Sequence, residues 1–169
     1  MSVTEPDIAE PTEDAPEGWR LRPLQVRPGF LIRRLHQIHV ALFLEECASE
    51  GLTPVQYSVL TALDQMGAVE QAALSRAVGL DRTNVAEVIV RLERRLFVRR
   101  RPSPEDRRMK LAMLTEVGRA ALKRVEQSAS RAHERTLAAL PPDRRERFLE
   151  DLATLVESSN SMSRSPVVG

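Results

Sequence analysis

Val78-Gly79-Leu80-Asp81-Arg82-Thr83-Asn84-Val85 lies near the middle of the chain and decides its fold, because it ends one amphipathic helix and starts another within a few residues. Gly79 stops the first, Leu80 closes the turn, and the Asp81 carboxylate is placed to cap the second. Behind the turn, Leu74, Ala77 and Val78 share one helical face, and acidic Glu70 suits the start of that short helix. Ahead of it, Val85, Val88, Ile89, Leu92 and Leu96 make a buried stripe, leaving Arg82, Thr83, Asn84, Glu87, Arg91 and Arg94 on the other face. A further helix precedes the pair. Its start is Thr53-Pro54, its stripe is Val55, Val59, Leu60, Leu63 and Met66, and Gly67 is available as a left-handed cap. Two helices about a glycine turn also describe a plain core hairpin, so the segment that follows carries weight.

That segment is a hairpin. Val98 to Arg101 and Met109 to Leu114 read as strands around Pro102-Ser103-Pro104-Glu105-Asp106-Arg107-Arg108, whose prolines interrupt helix and ladder alike. Residues 81–110 carry ten basic side chains (Arg82, Arg91, Arg94, Arg95, Arg99, Arg100, Arg101, Arg107, Arg108 and Lys110) against five acidic ones, a local balance of +5. The element order is a helix-turn-helix followed by a wing, and the expected ligand is duplex DNA. Arginine dominates over lysine, which suits bidentate phosphate contact and entry into a narrow minor groove. On this reading Thr83, Asn84, Glu87 and Arg91 face base edges or nearby phosphates, while Gln71 and Ser75 touch the backbone. Thr83 and Asn84 are equally placed to serve as helix-start caps.

Three pieces carry a resemblance to the MarR family of winged helix-turn-helix transcriptional regulators. They are Leu52-Thr53-Pro54-Val55-Gln56-Tyr57-Ser58-Val59-Leu60, Gly79-Leu80-Asp81-Arg82-Thr83-Asn84-Val85, and Pro104-Glu105-Asp106-Arg107-Arg108 leading to Leu114-Thr115-Glu116-Val117-Gly118. The resemblance runs from about Phe30 to Val156. It implies a mainly α fold with a small β-hairpin wing and a homodimer on a palindromic operator. It also implies that Arg107 or Arg108 enters the minor groove, with Asp106 bracing the arginines by a salt bridge.

The flanks read as dimerisation helices. Upstream, Leu31, Leu35, Ile38 and Leu42 form a stripe broadened by Phe30 and Phe43. Downstream, Thr115 caps a long pattern of Val117, Ala121, Leu122, Val125, Ala129 and Ala132, with Leu137 and Leu140 beyond. After Pro141-Pro142 a last helix carries Phe148, Leu149, Leu152, Leu155 and Val156. The expected organisation is an acidic, proline-rich tail and arm over 1–28, a dimerisation helix over 29–50, the winged helix-turn-helix over 51–114, and C-terminal dimerisation helices over 115–169. Two heads set about 34 Å apart would then meet successive turns of the duplex.

The formal net charge of +1 conceals a division, because Glu5, Asp7, Glu10, Glu13, Asp14 and Glu17 leave the rest of the chain at +7. That acidic segment lacks an apolar pattern and is expected to be unstructured. Trp19, Leu21, Leu24 and Val26, with Pro23 and Pro28, read as an extended arm. No apolar run is long enough for a bilayer and no secretory pattern opens the chain, so a cytoplasmic location is expected.

His36 and His39 share a helical face with Arg33 one turn earlier. They read either as polar interface residues, as part of a metal site with Glu46 or Cys47 that lacks a completing cluster, or as part of a small-molecule pocket. By resemblance, effectors of the family bind between the dimer helices and the reading head and are commonly anionic aromatics. Arg33 and Arg34 would grip a carboxylate, His36 and His39 would supply hydrogen bonds, and Tyr57 or Phe30 would form an apolar wall. The stretch Phe30 to His39 is similar to a branch associated with aromatic-compound breakdown, implying an aromatic acid or its coenzyme A thioester as effector. A repressor released by such a ligand is the expected function; no cofactor is expected. Cys47 offers a redox-responsive alternative. One branch of the family senses peroxides through a cysteine near the front of the first helix beside tyrosines. Cys47 lies near that helix's end and Tyr57 is the single tyrosine, which favours a packed thiol. A winged-helix module that binds protein rather than DNA is the remaining alternative. Gly-rich phosphate loops, nucleophile elbows and paired acid/base constellations are not found.

Overall fold

The computed structural model describes residues 18–162. The acidic residues Glu5 to Glu17, and the expectation attached to them, lie outside that range. The chain divides into two compact units, residues 1–37 and 38–169.

In the first unit the expected extended arm is instead two 3-10 turns, Trp19–Leu21 and Leu24–Val26. The Arg27 guanidinium holds them by donating to the carbonyls of Arg22 (3.1 and 3.0 Å) and Arg20 (3.0 Å). Helix α1, Pro28–Glu46, starts here and continues into the second unit. Proline fits its first turn because no N–H is needed there.

In the second unit α2 (Pro54–Met66) starts at a capping box: Thr53 Oγ1 accepts from the Gln56 N–H at 3.2 Å, and Gln56 Oε1 accepts from the Thr53 N–H at 3.1 Å. Val59, Leu60 and Leu63 are buried, whereas Val55 and Met66, expected in the same stripe, are 37% and 42% exposed at the helix ends. Gly67 has φ 76° and ψ −137°, not the left-handed cap geometry expected. Its extended ψ sends the chain straight into β1, Val69–Glu70. This two-residue strand pairs antiparallel with β3 and is too short to show alternation in sequence.

Helix α3 (Gln71–Val78) ends at Gly79, which takes the left-handed conformation (φ 64°, ψ 31°). The Leu80 N–H then donates back to the Ser75 carbonyl at 3.1 Å. Helix α4 (Arg82–Arg94) buries Val85, Val88, Ile89 and Leu92. Leu96 does not complete this stripe. The helix closes through Leu96 N–H to Glu93 O (2.9 Å) and Phe97 N–H to Leu92 O (3.0 Å), which puts Leu96 at φ 60° and 68% exposed. Phe97 is buried in its place.

The wing strands are β2 (Val98–Pro102) and β3 (Lys110–Leu114), in a sheet of order β1-β3-β2. Pro102 is tolerated inside β2 because that strand is an edge. Helix α5 (Glu116–Leu137) is capped by Thr115, whose Oγ1 accepts from the Gly118 N–H at 3.0 Å. Its inward stripe is Gly118, Ala121, Val125, Ala129 and Ala132; Val117, expected in that stripe, is 51% exposed. Small residues let α5 approach closely. A Cβ on Gly118 would stand 2.9 Å from Leu114 Cδ1 and well inside the van der Waals distance of the Phe97 carbonyl oxygen. Arginines of α5 tie it to the end of α1 and its following turn: Arg124 pairs with Glu50, Arg131 with Glu46, and Arg135 with Glu45 and Glu46. Helix α6 (Pro142–Ser158) buries no residue fully, and Leu149, Leu155 and Val156 are at least half exposed.

Candidate nucleic-acid interface

The outward face of α4 presents Arg82, Thr83, Asn84, Glu87 and Arg91 to solvent, as the apolar spacing requires. Their arrangement is partly set in advance. Asp81 Oδ1 accepts from the Asn84 N–H at 2.9 Å, and Asp81 Oδ2 accepts from Asn84 Nδ2 at 2.6 Å. Arg91 pairs with Glu87 one turn away at 3.2 Å, with both side chains about three-fifths exposed. Such a pair adds little stability and is readily exchanged for a phosphate or a base.

On α3 the two expected backbone contacts part company. Gln71 is half-buried and its Nε2 donates to the Arg82 carbonyl at 2.9 Å, tying α3 to the start of α4. Ser75 is turned inward, 5% exposed, and its hydroxyl donates to the Leu80 carbonyl. The tight Gly79 turn leaves that carbonyl needing a donor, so Ser75 serves the turn and does not face a phosphate.

At the wing tip, Arg107 and Arg108 are exposed. Asp106 braces them differently from the salt bridge the resemblance implied. Its Oδ1 accepts from the Arg108 backbone N–H at 2.9 Å, an Asx turn, and among the described residues it forms no ion pair with either guanidinium. Among the described residues neither guanidinium is in an ion pair, while the Asx turn holds the loop beneath them. Ser103, 7% exposed, supports the tip by accepting from the Glu105 N–H at 3.3 Å.

Sequence reading missed the anchor of the wing. Arg100 reaches from β2 to α4 and binds Glu93 through two of its guanidinium nitrogens, Nε to Oε1 at 2.9 Å and Nη2 to Oε2 at 2.5 Å. Strand alternation separates Arg100 from Arg99 and Arg101, and that was the one available signal. Arg95 is also spent on structure, lying 4.4 Å over the Phe97 ring and donating to the carbonyls of Glu50 and Gly51. The basic run thus splits into internal ties (Arg95, Arg100) and outward charges such as Arg82, Arg107 and Arg108.

The candidate effector residues distribute over both units. In the first, Arg33 lies 5.3 Å over the Phe30 ring, Arg34 donates to Gln37 at 3.1 Å, and His36 is exposed. In the second, His39 Nδ1 is 2.9 Å from Thr136 Oγ1 and its ring stacks on His133 at 5.3 Å. Tyr57 packs against Phe43 and lines a groove of about 380 Å³ between α2 and α5 with Thr61, Asp64, Arg119 and Lys123. Among the described residues the Thr61 hydroxyl is buried without a partner, while Arg119 is paired with Asp64.

Cys47 is fully buried, and burial pushes its thiol up from the ordinary value. Beside it, Arg135 and then Arg131 hold the Glu46 carboxyl below the usual carboxylate range. Among the described residues no group of three His, Cys, Asp or Glu could hold a metal ion, and no helix is long and apolar enough to cross a membrane.

Comparison with known proteins gives the same geometry a context. The model of the MarR family matches residues 52–110, from the start of α2 into β3. The HTH-type transcriptional repressor NicR of Pseudomonas putida is 31% identical over 133 residues, covering 79% of this chain and 84% of that protein. Bordetella bronchiseptica BpsR, solved in work on regulation of its DNA binding by 6-hydroxynicotinic acid, superposes with a TM-score of 0.75 at 31% identity, covering 79% of this chain and 96% of BpsR. The transcriptional repressor CouR, solved on a 23-mer DNA duplex, superposes with a TM-score of 0.73 at 34% identity, covering 79% of this chain and 94% of CouR.

Proposed function

Because the chain belongs to the MarR family of transcriptional regulators, we propose that it is a homodimeric repressor that leaves a palindromic operator when a small anionic aromatic ligand binds. The observation that carries this reading is the juxtaposition of an outward polar face on α4 with a wing tip whose Arg107 and Arg108 form no ion pair among the described residues. Helix α4 would lie in the major groove, with Thr83, Asn84, Glu87 and Arg91 toward the bases. Arg107 or Arg108 would enter the minor groove. Dimerisation is supported by apolar side chains left uncovered in a single chain: Leu31 and Ile32 on the first unit, and Leu149, Leu155 and Val156 on α6 of the second. Burying them would contribute on the order of 25 cal/mol for each Å² removed from water.

The effector reading is supported by the groove at Tyr57. It combines an aromatic wall, a buried hydroxyl lacking a partner, and the cations of Lys123 and Arg119. A carboxylate would compete with Asp64 for Arg119, and the Thr61 hydroxyl would gain a bond. Release requires the ligand to favour the non-binding arrangement by about 1–3 kcal/mol, and DNA must weaken the ligand by the same factor.

The test is a footprint of the purified protein on its own promoter region, followed by mobility-shift titration with aromatic acids and their thioesters. Protection of a palindrome of about 20 base pairs that disappears on adding one of these compounds is expected. No protection refutes DNA reading. Protection that no compound relieves, with Thr61→Val unchanged, refutes the effector site.

A further inference from the structure

We propose that Asp81 is a positioning residue for base reading: its second carboxylate oxygen fixes the Asn84 amide so that it presents a donor and acceptor pair suited to adenine. The inference rests on the reading of α4 as the groove-reading helix. Capping needs one oxygen, and Oδ1 supplies it by accepting the Asn84 N–H at 2.9 Å. Serine or threonine would do that as well. The additional contact is Oδ2 with Asn84 Nδ2 at 2.6 Å.

A carboxylate only accepts hydrogen bonds, so the amide must turn its NH2 group toward Asp81 and its carbonyl away. That settles the orientation of a side chain whose two ends are otherwise similar in shape. What remains directed outward is the Asn84 carbonyl oxygen and the second hydrogen on Nδ2. These are an acceptor and a donor side by side, the complement of adenine N6 and N7 in the major groove. Among the described residues Asp81 is the one side chain hydrogen-bonded to the Asn84 amide. The cost is a negative charge near phosphates, which a serine cap would avoid. Asn84 is thus a specificity-determining residue, and Asp81 acts through it.

The experiment selects duplexes of about 20 base pairs with randomised half-sites using the full chain as wild type, Asn84→Ala, Asp81→Ser and Asp81→Asn. Wild type is expected to enrich adenine at one position per half-site, and Asn84→Ala to lose that preference by on the order of 5- to 150-fold. Asp81→Ser retains the cap and its thermal midpoint, yet should lose the preference at least about fivefold at the same position, with the others unchanged. Asp81→Asn also caps, but its own NH2 lets the Asn84 amide invert, so the same position should relax. The inference is overturned if Asp81→Ser and Asp81→Asn keep the adenine preference that Asn84→Ala loses. It is equally overturned if Asn84→Ala changes no position, or if the Asp81 variants relax every position equally. Failure of the wild type to enrich any sequence would instead refute the DNA-reading assignment, and this inference with it.

Discussion

Replacing Gly118 by alanine should destabilise the protein, although the same change in an open helix would stabilise it. In a helix interior alanine is favoured over glycine by about 1 kcal/mol, and Gly118 lies in the first turn of α5, so the gain is at most that. Against it stands a collision with backbone. The added methyl would overlap the Phe97 carbonyl oxygen and stand 2.9 Å from Leu114 Cδ1 and from the Phe97 carbonyl carbon. That oxygen cannot retreat freely, because it accepts from the Thr115 N–H at 3.0 Å at the seam between wing and α5. Overpacking costs about 1–3 kcal/mol and breaking the seam bond about 1 kcal/mol more. The net expectation is a destabilisation of about 1–3 kcal/mol, read as a lower urea midpoint with unchanged slope at matched protein concentration. Because Phe97 leads directly into β2, operator affinity should fall as well. A Gly118→Ala protein as stable as wild type would refute the close approach of α5 to the wing base.

Leu96 offers the opposite test: at φ 60° a side chain costs about 1–2 kcal/mol, so Leu96→Gly should raise the thermal midpoint, and a fall would show that the exposed leucine is held by contacts of its own. Arg107→Ala with Arg108→Ala should weaken binding to most duplexes and lower the salt slope by roughly 0.9 for each phosphate no longer neutralised; an unchanged slope contradicts the wing assignment. Glu46 is ionised more readily folded than unfolded because of Arg135 and Arg131. Its stabilisation is therefore present above its ordinary value of 4.5 and lost as pH falls through the depressed one. Glu46→Gln should flatten the acid side of the stability profile, and an unaltered acid limb would count against the ion pairs. Cys47 should resist a thiol reagent in the native protein and react at once in denaturant; rapid native labelling would reopen the redox alternative.

Elements whose cause is local were legible in the sequence. Thr53-Pro54, Gly79, Asp81 and Thr115 each act on the backbone within a few residues of themselves, and the helices begin or end where they stand. Features set by tertiary partners were not. Ser75 and Gln71 read as surface polar residues until the Leu80 and Arg82 carbonyls were brought against them. Arg100 was indistinguishable from its neighbours until β2 lay beside Glu93. Leu96 fitted the helical period, but the helix had already closed. Strand β1 was invisible because two residues carry no period, and its pairing with β3 exists only in the fold.

The two-pronged grip of Arg100 on Glu93 ties β2 to α4, and the pairing of β1 to β3 ties the start of α3 to the same sheet, so helix and blade are linked like the jaws of a caliper. If α4 lies in the major groove and the wing in the minor groove, as proposed, such a tool would measure the offset between the two as strictly as it reads letters. Operators with one base pair inserted between those two positions should be rejected even when every contacted base is kept. Any ligand that loosens the complex would then do so by swinging the caliper whole, leaving its jaws at constant width.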